Sequence, residues 1–279
     1  MKRRDFLSTA AVAAVSATTA GSAEAQMRKL GNRKESGRSA AETPRQFIEL
    51  RTYRVAGAEK KAQLVECLDR ATVPALNRMG IKPVGVFTVF EDAKKSDPGF
   101  ANAVFLVIPH ETPKSFIRLN ARLLADKTYR KDSAAILDAP IAERAYEDCE
   151  SALLYGFPTC PKIEIPTRSP DRIFQLRFYN SHNFERNAAK IAMFDVAGEL
   201  KLFRETGIHP VFFGETLFGG LMPNLTYLVA ADSPEAMDQS WAAFTRHPEW
   251  DKLKNDPAFA ETATKILMAV VKPSPGSQI

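Results

Sequence analysis

Two segments of the chain carry the same polar side chains at alternating positions. Leu-Arg-x-Tyr occurs at Leu50–Tyr53 and again at Leu176–Tyr179, preceded by a glutamate in the first case and a glutamine in the second. An arginine can hold a carboxylate with two parallel hydrogen bonds, and a neighbouring tyrosine can donate a hydrogen bond or a proton. Six residues are therefore predicted to bind a ligand that bears a carboxylate or carbonyl group: Glu49, Arg51, Tyr53, Gln175, Arg177 and Tyr179.

The same pattern also fits a purely structural role. A buried arginine needs an acceptor, because an unpaired buried charge is very costly. Glu49 can supply that acceptor within the chain, and the tyrosines can complete a buried polar network. The residue types alone leave both roles open, and no catalytic residue is predicted.

The motifs of several cofactor- and metal-dependent enzyme classes are absent from the sequence. It contains no G-x-S-x-G, no Walker loop, no G-x-G-x-x-G and no C-x-x-C-H, and its four histidines lack the spacing of a metal site. His110 and His182 are interpreted as loop or helix-cap residues. The sequence therefore predicts no metal and no cofactor.

Further matches show that the Leu-Arg-x-Tyr pair belongs to an internal repeat. Gly80–Val84 matches Gly207–Val211, and Asn102–Val107 matches Asn224–Val229. Tyr129 then aligns with Trp250, in the same order along the chain. Ordered matches at a nearly constant offset indicate two copies of one domain.

Hydrophobic patterns predict the same order of elements in both copies. In the first copy, one predicted strand begins at Phe47 and three more cover 83–90, 103–108 and 151–157. One predicted helix covers 58–79, and another begins at Thr112. In the second copy, strands over 173–179, 210–217, 225–230 and 264–272 alternate with helices over 185–206, 234–246 and 249–262. The order β-α-β-β-α-β is that of a ferredoxin-like unit, so the fold class is α+β.

A four-stranded sheet with helices on one face leaves its other face uncovered. Two such sheets can cover each other, which predicts that the tandem repeats pack sheet to sheet as an α+β barrel within one chain. The segment 161–171, rich in proline, serine and threonine, is the predicted linker. If Ile48 and Leu50 contact the helices, then Arg51 and Arg177 both point into the barrel.

These residues resemble those of a known family. The opening Glu49-Leu50-Arg51-Thr52-Tyr53, the helix that ends in glycine and the segment Pro248-Glu249-Trp250 resemble the NIPSNAP family of the dimeric α+β barrel superfamily. The resemblance covers both copies, with a first NIPSNAP-like repeat over 46–160 and a second over 172–279. The copies depart from the pattern at Gln175 and Asn180, and at 127–129, where Lys-Thr-Tyr replaces Pro-Glu-Trp.

The resemblance implies a fold more directly than an activity. The favoured hypothesis is a protein that binds a small apolar or carbonyl- or carboxylate-bearing molecule in the barrel interior. One alternative is an enzyme of the barrel superfamily, similar to a monooxygenase or isomerase. That alternative includes haem, since some barrel relatives bind haem through a histidine. Another is a structural or interaction module whose barrel is filled.

The first 25 residues resemble a twin-arginine signal peptide. Arg3 and Arg4 precede Phe6 and Leu7 and an uncharged segment, and small residues before Gln26 fit cleavage after Ala25. The resemblance implies export by the twin-arginine machinery to the periplasm or the medium. No stable membrane anchor is expected after cleavage.

The net charge of +5 belongs to the N-terminal region. Residues 1–25 carry +1 and residues 26–45 carry +4, which leaves none for residues 46–279. Residues 26–45 are polar and basic, and they are predicted to be a disordered leader. The remaining chain has no excess positive charge for phosphates, so nucleic acid is not predicted as a partner. The barrel architecture is compatible with the formation of higher oligomers.

Overall fold

A computed structural model describes residues 43–90 and 96–279. The predicted signal peptide with Arg3, Arg4, Phe6 and Leu7, its cleavage after Ala25, and the leader up to residue 42 lie outside the described residues. Arg45, the last residue of the predicted leader, is part of the fold, because its guanidinium carbon lies 3.9 Å from the centre of the Tyr155 ring.

The described residues form eight β-strands. They are β1 (Phe47–Arg54), β2 (Gly85–Val89), β3 (Ala103–His110), β4 (Asp148–Gly156), β5 (Ile173–Asn180), β6 (His209–Phe218), β7 (Asn224–Ala231) and β8 (Lys265–Pro273). Leucine, valine and phenylalanine are their most frequent residues, as expected for strands with both faces covered.

The helices follow β1, β3, β5 and β7, as the sequence predicts. The first half contains α1 (Ala58–Cys67), α2 (Val73–Arg78), α3 (Pro113–Ala125), α4 (Lys127–Asp132) and α5 (Ala134–Leu137). The second half contains α6 (Phe184–Asp195), α7 (Glu199–Glu205), α8 (Pro234–Thr245) and α9 (Pro248–Lys254). Each predicted long first helix is interrupted. A π-helical turn, Leu68–Thr72, separates α1 from α2, and Gly198 at φ 96° separates α6 from α7.

The eight strands form one closed antiparallel barrel. The order within the first half is β4-β1-β3-β2, and the same order, β8-β5-β7-β6, is found in the second half. The edges of the two sheets join through the pairs β2–β8 and β4–β6. Closure satisfies the backbone groups that an open sheet edge would expose. The predicted α+β fold, with two ferredoxin-like repeats forming a barrel within one chain, is confirmed.

The barrel interior is apolar and takes the aliphatic face of each opening strand. Ile48 and Leu50 pack there against residues of both halves, including Phe174 and Leu176. Because side chains alternate along a strand, the polar residues between them face the helices instead. The prediction that Arg51 and Arg177 share the interior is therefore wrong. Each set lies beneath the helices of its own half: Glu49, Arg51 and Tyr53 in one, and Gln175, Arg177 and Tyr179 in the other.

The repeat alignment of the third strands is shifted by one residue. The strand registers place Arg51 opposite Leu106 and Arg177 opposite Tyr227, so Leu106 and Tyr227 are equivalent. The sequence alignment matches Phe105 to Tyr227, yet Phe105 lies in the barrel and Tyr227 faces the helices. A shift of one residue moves a side chain to the opposite face of a sheet.

The C-terminal segment closes one end of the barrel. The Ile279 side chain is buried in the barrel core, and Gln278 exchanges hydrogen bonds with Val84. Asp69 accepts hydrogen bonds from Ser274 Oγ at 2.5 Å and from the amide of Gly276 at 3.1 Å. The other end of the barrel, where β1 ends and β7 begins, is not covered by this segment. None of the described helices is long and apolar enough to cross a membrane.

Candidate functional site

A pocket of about 620 Å³ lies in the first half, between the sheet and its helices. Strand β1 supplies Glu49, Arg51 and Tyr53, and β4 supplies Cys149 and Ser151. The π-helical turn contributes Leu68 and Thr72, which places an irregular helical segment at the wall, a common feature of functional sites. The remaining wall is mainly apolar: Leu64, Cys67, Phe116, Ile117, Asn120, Leu123, Leu124, Tyr129, Ile136, Leu137 and Tyr146.

Glu49 is the centre of a buried hydrogen-bond network. Its carboxylate accepts hydrogen bonds from Arg51 Nε at 2.5 Å and Ser151 Oγ at 3.0 Å. The second carboxylate oxygen lies 3.0 Å from Nε2 of His110, whose Nδ1 lies 2.9 Å from Ser115 Oγ. The side chains of Glu49 and His110 are 2% and 0% exposed, so this pair is sealed beneath the pocket.

The network keeps Glu49 ionised at neutral pH. Burial raises the pKa of a carboxyl group, but the hydrogen bond with His110 and the charge of Arg51 outweigh that effect. The pKa of Glu49 is therefore lowered. A carboxylate held in this way neutralises the charge of Arg51, so the guanidinium can be buried at modest cost.

Arg51 has donors left for the pocket. Its Nη2 donates to Asn120 Oδ1 at 2.9 Å and its Nε to Glu49, while the Tyr53 hydroxyl also interacts with it. A guanidinium has five N–H groups. Its acceptors among the described residues leave N–H groups unsatisfied at a wall of the pocket, where a carbonyl or carboxylate oxygen can accept from them.

Four other titratable side chains of the pocket, Tyr53, Cys67, Tyr129 and Cys149, are protonated at neutral pH. Burial is the main cause that raises the pKa of Tyr53, and it raises the pKa of Cys67 to about 11. Burial also raises the pKa values of Cys149 and Tyr129. Tyr53 is therefore a hydrogen-bond donor, and the two thiols are weak nucleophiles.

The equivalent place in the second half is filled. Arg177 Nη1 donates to Gln175 Oε1 at 3.3 Å, and the guanidinium lies 4.7 Å from the centre of the Trp241 ring. Tyr227 donates to the Tyr179 hydroxyl at 3.2 Å. Within the described chain, Arg177 Nε and Trp241 Nε1 have no hydrogen-bond partner. A packed aromatic cluster completes this region: Phe194, Phe203, Phe213, Tyr227 and Phe244.

One pair of equivalent helix positions explains much of this difference. Thr112 caps α3 and Ser233 caps α8, and each is followed by proline. Counted from these caps, Asn120 and Trp241 occupy the same place. The indole stacks on Arg177 and takes up space, whereas the short amide of Asn120 bonds Arg51 and leaves the pocket open.

The structure thus divides the six candidate residues into two separate groups of three, one in each half. Glu49, Arg51 and Tyr53 line one pocket, and their counterparts form a separate packed cluster. The interpretation of His110 as a loop or cap residue is wrong, because it ends β3 and bonds Glu49 from within the core. Strand alternation could have found it, since 104, 106, 108 and 110 share the face that turns to the helices.

The pocket of the first half has no histidine in its lining to hold haem. An axial ligand must be an imidazole nitrogen, a thiolate, a phenolate or a thioether. His110 lies beneath this pocket, and both of its ring nitrogens are engaged, by Ser115 and by Glu49. A second cavity, at the open end of the barrel, is lined by no histidine, cysteine, tyrosine or methionine. Within the described residues no cluster of histidine, cysteine and carboxylate side chains could hold a metal ion either.

Comparisons with known proteins agree with the fold. Residues 174–277 match the family model NIPSNAP. No curated protein has a sequence that matches this chain significantly.

Solved structures share the barrel at low sequence identity. A candidate monooxygenase from Fusobacterium nucleatum is 8% identical, with a TM-score of 0.53 over 82% of this chain and 92% of its own. A candidate monooxygenase from Lactobacillus acidophilus is 8% identical, with a TM-score of 0.52 over 82% of this chain and 94% of its own. An anthrone oxidase-like protein is 9% identical, with a TM-score of 0.52 over 85% of this chain and 94% of its own.

At such identities the likeness concerns the fold alone. The matched segment begins within β5 and ends beyond β8, so it covers almost all of the second ferredoxin-like unit. The chain is therefore an α+β barrel protein whose residues 174–277 match the NIPSNAP family model.

Proposed function

We propose that the protein binds a small apolar molecule with a carboxylate or carbonyl group in the pocket of its first half. The observation that carries the proposal is the position of Arg51, which is charged, largely buried and turned to an otherwise mainly apolar cavity of about 620 Å³. Ligand pockets typically combine such apolar walls with a few converging polar groups. The site differs from the barrel interior expected from the sequence.

Electrostatics favours an acceptor group on the ligand. Glu49 faces the network beneath Arg51 and is occupied by three partners: Arg51, His110 and Ser151. The groups that remain for a ligand are donors, namely the free N–H groups of Arg51, since the Tyr53 hydroxyl already interacts with Arg51 and Cys149. Donors in a partly dry cavity hold an oxygen acceptor well, because few water molecules compete there.

Octanoate is a suitable first probe, with octyltrimethylammonium as its charge-reversed control. We expect calorimetry to show octanoate binding, and the double variant Glu49→Gln/Arg51→Gln to weaken it at least tenfold. The double variant removes both partners, so it strands neither. Arg130→Gln, which alters an exposed ion pair with Asp138, is the matched control and keeps full affinity. Equal binding of both probes, or full octanoate affinity in the double variant, contradicts the proposal.

Catalysis in the same pocket is the second candidate. Its support is Tyr53, a proton donor next to the arginine that would hold a carbonyl oxygen. The candidate monooxygenases with the same fold place enzymes among the proteins that this barrel resembles. Native mass spectrometry of the purified protein identifies a retained ligand, and that ligand is then assayed for oxygen consumption and for deuterium exchange beside its carbonyl. Turnover that Tyr53→Phe abolishes, with ligand affinity retained, supports this candidate.

We further propose that the first half is a second NIPSNAP-like domain and that the chain is exported. The shared Leu-Arg-x-Tyr and the identical strand order of the halves support the first statement. Arg3 and Arg4 ahead of an uncharged segment support the second. Replacing both arginines by lysine is expected to retain the full-length precursor in the cytoplasm, while the wild type is found in the periplasm without residues 1–25. Equal export of both forms contradicts it.

A further inference from the structure

The uncovered end of the barrel holds a second cavity of about 580 Å³. It lies within the barrel, because its lining includes interior positions such as Leu50 and Thr52 of β1 and Phe178 of β5. The pocket of Arg51 lies on the opposite face of β1, so the sheet separates the two cavities. The two cavities share no lining residue.

One wall of this barrel-mouth cavity is aromatic and aliphatic. Phe100 and Phe178 stack with ring centres 5.5 Å apart and planes inclined by 23°. Leu50 and Leu267 continue this surface. A flat apolar body can pack against such a wall, since offset stacking on aromatic rings adds to the gain from burial.

The opposite wall presents hydroxyl groups as acceptors. Thr216 Oγ1 donates to Asn224 Oδ1 at 2.6 Å, and Thr226 Oγ1 donates to the same oxygen at 3.0 Å. Both hydroxyl protons are thereby used within the protein, while each oxygen keeps lone pairs for another donor. Thr52 is also largely buried at this wall, and its hydroxyl has no hydrogen-bond partner in the described part of the chain.

The charges at the rim leave no strong site for an ionic ligand. Arg54 is held by Asp148 and by Glu150, with Glu150 Oε2 3.2 Å from Nη2. The Asp97 carboxylate accepts from the amide of Met268 at 2.6 Å. The charged residues of the lining are two cations and two anions, namely Arg54, Lys265, Asp97 and Glu150. A neutral ligand avoids the desolvation that an ion would suffer here.

We propose that the barrel mouth is a second binding site, for an uncharged aromatic molecule that carries hydrogen-bond-donating hydroxyl groups. The aromatic body lies on Phe100 and Phe178, and the hydroxyl donates to the threonine oxygens. The exposed Leu221 and Met222 beside the opening provide apolar surface along the approach. The site is independent of Arg51 and of the proposed function of that pocket.

β-Naphthol and its methyl ether are the probes, because they differ only in the hydroxyl proton. We expect calorimetry on the full-length chain to show that β-naphthol binds at least tenfold more tightly than the ether does. Thr52→Val preserves the shape of the side chain and breaks no hydrogen bond among the described residues. It is expected to weaken the binding of β-naphthol three- to tenfold and to leave the affinity for the ether unchanged. The same substitution at Thr88, which lines neither cavity, is the matched control.

A further comparison separates the two cavities. The double variant Glu49→Gln/Arg51→Gln is expected to leave β-naphthol affinity unchanged, and Thr52→Val to leave octanoate affinity unchanged. Loss of β-naphthol binding in the double variant overturns the assignment to the barrel mouth. No β-naphthol binding at millimolar concentration, equal binding of the ether, or an unchanged affinity in Thr52→Val overturns the proposal as well.

Discussion

At the scale of single residues, the two halves solve the same electrostatic problem differently. Each largely buries the arginine of Leu-Arg-x-Tyr on the strand face that turns to the helices. Arg51 is neutralised by a direct ion pair with the Glu49 carboxylate, whereas Arg177 bonds the Gln175 amide and the Tyr179 hydroxyl and lies over the Trp241 ring. The carboxylate that acts on Arg177 is that of Glu199, which is itself bonded to Lys190. Burying a guanidinium without a bonded anion is costly, and stacking on an indole offsets part of that cost.

Removing the carboxylate in the first half should be strongly destabilising. Glu49→Gln leaves Arg51 buried without a counter-charge and leaves Arg51, Ser151 and His110 with one oxygen where the carboxylate has two. We expect the free energy of unfolding to fall by about 3 kcal/mol, the usual effect of breaking a buried pair. Urea unfolding at neutral pH measures it. Glu66→Gln, which alters an exposed pair with Arg70, serves as the control and should change stability by less than about 0.5 kcal/mol. Similar effects of both substitutions would show that the buried network is dispensable.

The same carboxylate predicts how the variant responds to acid. The pKa of Glu49 lies below its ordinary value of 4.5, because the His110 hydrogen bond and the Arg51 charge outweigh the effect of burial. A lowered pKa contributes stability that is full above the unfolded value and is lost as the pH falls through the folded value. Wild type and Glu49→Gln should therefore differ less in urea midpoint at about pH 3 than at neutral pH. A constant difference would assign the effect to packing.

The second half should gain from a carboxylate placed directly beside Arg177, at position 175. In Gln175→Glu the new oxygen lies where Oε1 already accepts from Arg177, so a hydrogen bond from a charged donor to a neutral amide becomes an ion pair. The guanidinium is buried in either case, and we expect a gain of about 1 kcal/mol in the free energy of unfolding. Thermal unfolding measures it, and Arg177→Met provides the test background, in which the gain should vanish. A gain that persists there would have another cause.

At the scale of elements, α3 and α8 decide whether a half holds a pocket. Asn120→Trp introduces in α3 the residue that α8 carries at the equivalent place. We expect the indole to stack on Arg51 and fill the pocket, so that octanoate affinity falls at least tenfold while the circular dichroism spectrum is retained. Ala121→Trp adds the same side chain at an exposed position of α3 and should keep full affinity. Unchanged binding in Asn120→Trp would show that octanoate binds elsewhere.

The sequence predicted the positions of the strands and helices well, but it did not predict which face of a strand lies inside the barrel. Alternation located β1, but both of its faces are buried, one in the barrel and one beneath the helices. Alternation alone therefore could not decide whether Leu50 or Arg51 lies inside. The barrel takes the aliphatic face, because that interior is shared by both sheets and is lined mainly by apolar side chains. His110 was missed for a related reason, since its partner Glu49 is distant in sequence and adjacent only through strand register.

At the scale of the whole molecule, barrel closure makes the two halves depend on each other. Phe87 of the first half and Phe174 of the second pack edge to face, with ring centres 5.0 Å apart. The pairs β2–β8 and β4–β6 hydrogen-bond the sheets at both edges. Separation would expose the interior face of each sheet and two strand edges at once, which is unfavourable in water.

This dependence predicts a single cooperative unfolding transition for the described chain. Both tryptophans, Trp241 and Trp250, lie in the second half, so tryptophan fluorescence reports on that half alone, whereas far-ultraviolet circular dichroism reports on both. Glu49→Gln acts in the first half, yet we expect it to lower the urea midpoint seen by fluorescence as much as the midpoint seen by circular dichroism, because neither half remains folded without the other. Glu66→Gln should leave both midpoints near those of the wild type. A fluorescence midpoint that stays at the wild-type value while the circular dichroism curve splits in two would show that the second half is stable on its own and that barrel closure adds little to it.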